Sequence, residues 1–97
     1  MSDFTTRVEL HDAVWSDYVE LHKAMAKQGF SQIITSDDGQ TYELPPAEYN
    51  YSGNATRSQV LEKAKSAAAT VKNSFGVLVT ESAGRTWTGL RLAKRAA

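Results

Sequence analysis

Residues 4–11 alternate, with Phe4, Thr6, Val8 and Leu10 on one side and Thr5, Arg7, Glu9 and His11 on the other. A period of two belongs to a strand that sends one face into a core and leaves the other in water. Val14, Tyr18, Leu21 and Met25 then recur at spacings of four, three and four, the stripe of an amphipathic helix. Asp12 or Ser16 is the expected N-cap, because either side chain can accept a backbone N–H bond. Gly29 marks the exit, since glycine enters the left-handed conformation without steric cost, and Phe30 is expected to fold back onto the stripe. The β-branched pair Ile33-Ile34 places a second strand at 32–35, and Ser36-Asp37-Asp38-Gly39 reads as a hairpin turn into a strand at 41–44. Pro45-Pro46 removes two ladder donors, which makes this an edge or bulged strand, with Ala47, Tyr49 and Tyr51 continuing it beyond the interruption.

Thr56-Arg57-Ser58-Gln59 has the form of a capping box and opens a second helix along Val60, Leu61, Ala64, Ala68 and Val71, with Asn73 near its end. Phe75 to Thr80 carries few polar breaks, as a central strand does. Residues 85–92, with Trp87, Leu90 and Leu92, are a weaker candidate for an extra C-terminal strand, and 93–97 form a loose basic tail. Right-handed crossovers in both strand–helix–strand halves put the two helices on one face of an antiparallel sheet. The expected architecture is a single α+β domain over 1–97, a ferredoxin-like βαββαβ sandwich whose polar sheet face stays open.

The 97 residues suit one domain with one core, and the 41% apolar and 23% charged residues are ordinary for a folded chain. No apolar run is long enough for a membrane span, and no signal-peptide pattern opens the chain, so a cytoplasmic location is expected. The absence of cysteine excludes disulfides, thiol catalysis and cysteine-ligated metals. Residues 1–50 hold three basic against nine acidic residues, a balance of −6, and residues 51–97 hold eight against two, a balance of +6. That asymmetry marks either an anion-binding face in the second half or two halves that attract one another.

Chemical signatures are few. No phosphate-binding glycine cluster or metalloprotease motif is present, and His11 and His22 stand eleven positions apart, so neither a cofactor nor a metal is expected. Either histidine can move a proton near neutrality, or sit at the core margin as an ordinary amphipathic residue. Asp37-Asp38 is explained by turn chemistry rather than by a cation. Tyr49, Tyr51 and Arg57 can stack on bases and meet phosphate, as can Trp87 between Arg85 and Arg91; the competing reading is packing at the sheet margin and the core's end.

The opening strand Phe4-Thr5-Thr6-Arg7-Val8-Glu9-Leu10, the run Leu21…Met25…Phe30-Ser31 and the Asp-Gly hairpin resemble the GhoS family, antitoxin endoribonucleases of type V toxin–antitoxin systems. The resemblance covers residues 4–65 and implies a fold similar to the CRISPR adaptation nucleases, with cleavage of a toxin messenger RNA. The family's basic residue on the first helix corresponds to His22. In that role His22 transfers the proton, with Arg7 or His11 as further catalytic candidates, while Arg57, Tyr49, Tyr51 and Arg85 contact single-stranded RNA. The alternative is a non-enzymatic module that forms a homodimer or binds a protein through a sheet edge or the open face.

Overall fold

In the computed structural model, which describes residues 2–93, the chain runs β1 (Ser2–Leu10), α1 (Trp15–Lys27), β2 (Ile33–Thr35), β3 (Thr41–Glu43), β4 (Glu48–Gly53), α2 (Arg57–Ala69) and β5 (Phe75–Glu81). It is an α+β fold with two helices and antiparallel sheets. The tail expected at 93–97 falls, beyond Ala93, outside the described residues.

The alternation in β1 is realised as read: Phe4, Thr6, Val8 and Leu10 are buried, while Arg7 and Glu9 are exposed. β1 is the middle strand of a three-stranded sheet ordered β4-β1-β5, with Thr6 opposite Tyr49 on one side and Val79 on the other. The expectation that Phe75 to Thr80 is the central strand is therefore corrected. β5 turns Phe75, Val77 and Val79 against the core but leaves Leu78 64% exposed, so its apolar run reflects one covered face and one exposed leucine.

Both helices enter one core. Leu21 and Met25 of α1 and Val60, Ala64, Ala67 and Ala68 of α2 form a single buried cluster with Phe4, Val8, Leu10, Phe30 and Tyr49. The small alanines let α2 lie close to the sheet. Thr6 is fully buried on this face, and its hydroxyl has no partner among the described residues.

The helix ends follow local chemistry. Neither Asp12 nor Ser16 caps α1. Asp12 instead turns the chain at φ 51°, and the Val14 N–H donates to Asp17 Oδ2 at 3.0 Å. The capping box of α2 forms reciprocally, the Gln59 N–H donating to Thr56 Oγ1 (3.1 Å) and the Thr56 N–H to Gln59 Oε1 (2.8 Å). α2 stops at Ala69 with Thr70 as its C-cap, before Asn73. Gly29 ends α1 at φ 93°, and Phe30 returns to the core as its N–H donates to the Met25 carbonyl. Lys72, after α2, meets Asp17 at 3.5 Å, an ion pair joining the basic and acidic halves.

The hairpin β2–β3 is a separate two-stranded ribbon. Its turn holds as expected: Gly39 takes φ 86°, and Asp38 accepts the Gln40 N–H and the Ser36 hydroxyl, which lowers the Asp38 pKa. Pro45-Pro46 does more than interrupt β3. Ala47 reverses the chain at φ 69°, and residues 48–53 leave the hairpin to pair with β1, so Tyr49 and Tyr51 belong to a different sheet from Tyr42. Among the described residues, the backbone hydrogen bonds that link the ribbon's approach to β4 are those between Ser31 and Asn50, N–H···O bonds of 2.8 and 2.7 Å. The expected C-terminal strand reduces to one bridge between Tyr42 and Leu92.

Candidate functional site

His22 and Tyr49 are 27 positions apart, and no local pattern links them. α1 brings His22 to the rim of the core, and β4 brings Tyr49, 1% exposed, beneath it; His22 Nδ1 and Tyr49 Oη lie 2.6 Å apart. Burial lowers the His22 pKa from its ordinary 6.5, so the ring is neutral at neutrality. Burial, and after it Tyr18, push the Tyr49 phenol far above its usual range, so its proton stays on. The Tyr49 hydroxyl has no other side-chain hydrogen-bond partner among the described residues. The assignment that leaves no buried proton unpaired has the phenol donating to Nδ1 and the imidazole proton on Nε2.

His22, with Tyr49 buried behind it, lines a cleft of about 480 Å³. Trp15 and His22 wall one side; Glu43, Leu44 and the two prolines, then Leu90 and Arg91, wall the other. The far wall is held by the backbone, because the Glu43 N–H donates to the Arg91 carbonyl at 2.8 Å and the Leu44 N–H to the Gln32 carbonyl at 2.7 Å. Trp87 packs edge-on against Tyr42 at 5.4 Å and fixes residues 82–93, the strap that follows β5, to the ribbon. Trp15 was not among the residues singled out from the sequence, yet it is 70% exposed at the cleft. Its signal is the seven-residue spacing to His22, two helical turns on one side of α1.

The remaining candidates are scattered. Arg7 projects from the open face of β1, on the side away from His22, beside Glu48 and Leu78 in register. His11 lies in the turn just after β1, with Nδ1 2.7 Å from Ser74 Oγ and Nε2 3.5 Å from Glu9 Oε1, at an exposed corner. Arg57 is exposed at the start of α2. Tyr49 is a core residue with no free ring face, and Tyr51 is half-buried, 5.2 Å from Phe30 and under the Lys63 ammonium at 5.9 Å. Arg85 is committed internally: its guanidinium donates to Thr5 Oγ1 (3.0 Å) and Asn50 Oδ1 (2.5 Å). The sheet face expected to be open is thus crossed by the strap at Arg85.

Among the described residues no three His, Asp or Glu side chains gather where they could hold a metal ion, and no helix is long and apolar enough to cross a membrane. No family model matches the chain, and no curated protein matches it.

Proposed function

We propose that this chain binds single-stranded RNA in the cleft between α1 and the C-terminal strap, in keeping with its resemblance to the GhoS antitoxin family. The observation that carries the reading is His22, held by Tyr49 at 2.6 Å and lining a cleft with an exposed tryptophan. Trp15 offers an indole face to a splayed base. Arg91 supplies a cation for phosphate, and the Glu43 carboxylate accepts from a base amino group. His22 Nε2–H donates to a phosphate oxygen or a 2′-hydroxyl. The order β4-β1-β5, with Ser31 bonded to the outer side of Asn50 where a fourth strand would stand, supports the ferredoxin-like reading of the fold.

Binding is favoured over cleavage by the same hydrogen bond. A general base needs a lone pair toward the 2′-hydroxyl, and the assigned tautomer offers a proton there instead. Cleavage with His22 as the general base requires the imidazole to donate Nδ1–H to Tyr49 and free Nε2, which strands the phenol proton. The test is fluorescence anisotropy with a labelled single-stranded RNA at low salt, followed by gel analysis of the same samples. Trp15→Ala and Arg91→Ala are expected to weaken retention about tenfold each, and the RNA to stay intact. Retention unchanged in both variants sinks the RNA reading of this cleft. Cutting by the wild type but not by His22→Ala overturns the tautomer and restores the endoribonuclease.

A further inference from the structure

The two edges of the three-stranded sheet are treated differently. The outer side of β4 is occupied, since Ser31 exchanges two backbone hydrogen bonds with Asn50. The outer side of β5 carries no backbone hydrogen bond from any other described segment. An unpaired edge is a template for another strand, and folded chains usually blunt it with lysine, proline, a bulge or a short length. β5 has none of these: it is seven residues long, Phe-Gly-Val-Leu-Val-Thr-Glu, paired with β1 in unbroken register, with its one charge at the last position.

The geometry points to β5 as a homodimer interface, in which the strand pairs antiparallel with β5 of a second copy about a two-fold axis through Leu78. Leu78 is the middle residue of the seven, so this register alone uses the full strand. It sets Val77 opposite Val79 of the partner subunit, on the helix-covered side, and Leu78 against its own copy on the other. Leu78 is 64% exposed in the single chain, and the pairing covers it. The carboxylates of Glu81 lie at opposite ends of the joined strands, so no like charges face each other. The product is one continuous sheet of six strands with both helix layers on the same side. A second copy is a better occupant than an unrelated peptide because the apolar centre Val77-Leu78-Val79 is its own mirror about Leu78. The two-fold pairing thus sets apolar against apolar at the axis, with Gly76 opposite the partner's Thr80 and Phe75 opposite the partner's Glu81 towards the ends. The inference is independent of the RNA reading, since the α1–strap cleft lies beyond β4, at the other side of the sheet.

The absence of cysteine provides a clean test. Opposed residues in an antiparallel pair have Cα atoms about 4.5–5.5 Å apart, within the span of a disulfide. Leu78→Cys is therefore expected to form a cross-linked dimer under mild oxidation, whereas Ser66→Cys, exposed on α2, stays monomeric under the same conditions. Sedimentation equilibrium of the unmodified chain is expected to show a dimer, weakened about tenfold by Leu78→Lys, which places two like charges at the axis. Circular dichroism checks that both Leu78 variants keep the fold. A wild-type chain that remains monomeric at high concentration, or a Leu78→Cys chain that cross-links no faster than Ser66→Cys, overturns the proposal.

Discussion

The sheet with its two helices and the ribbon with its strap are held by different physics. In the first, seven residues of β1 pair with β5 and six with β4, and eleven buried side chains share one contiguous core. In the second, two three-residue strands and a single bridge carry the backbone order. Ile34 is buried there but stands outside the main core, and the aromatic contact is Tyr42 on Trp87. Apolar burial scales with area and gives the sheet a cooperative interior, whereas the ribbon relies on a few hydrogen bonds open to water. The candidate cleft lies on the seam between them, with one wall on α1 and the other on the weaker unit. Binding sites are often drawn from the less stable part of a fold, because that part can adjust.

That contrast can be broken most forcefully from the core side. Phe4→Ala removes a fully buried ring that touches Tyr51 across the sheet, and large-to-small changes of this kind cost about 3–5 kcal/mol. Denaturant unfolding is expected to show a loss of that size, and a loss below about 1 kcal/mol would mean that the site is less well packed than the burial indicates. The counterpart on the ribbon is Trp87→Ala. Losing one aromatic pair costs about 1 kcal/mol, and most of it is expected to appear locally. Hydrogen exchange at the Glu43 and Ala93 amides, which bond to Arg91 and Thr41, should accelerate while core amides keep their protection. Uniform acceleration would show that ribbon and core unfold together.

The smallest effect concerns the seam itself. Because burial lowers the His22 pKa, the unfolded chain binds a proton that the folded one resists. The stability from this group is complete well above pH 6.5, falls as the pH drops through that value, and levels off once the folded ring is protonated too. Thermal melts between pH 8 and 5 are expected to show this slope in the wild type and a shallower one in His22→Gln. Equal slopes would assign the acid sensitivity to other groups.

Several elements were legible because their causes lie within a few residues. The alternation of β1, the Thr56–Gln59 capping box, the Gly29 exit and the Asp38–Gly39 turn each depend on neighbours one to four positions away, and each formed. The start of α1 was misplaced even at this range, because Asp17 reaching back to Val14 satisfies the same donor that a forward cap would. Sequence alone therefore determined that two helices and several short strands would form, and which face of β1 would be apolar; it misjudged β5, whose Leu78 is exposed, and the start of the α1 stripe, where Val14 is exposed. It did not determine which strand would be central, that residues 48–53 would leave the hairpin, or that Arg85 would bond Thr5 and Asn50, 80 and 35 positions away. Those outcomes depend on closing long loops and on the choice of strand partners, for which a periodic pattern carries no address. The His22–Tyr49 bond is of this second kind: each residue was visible, but only the packing of α1 over β4 made them a pair.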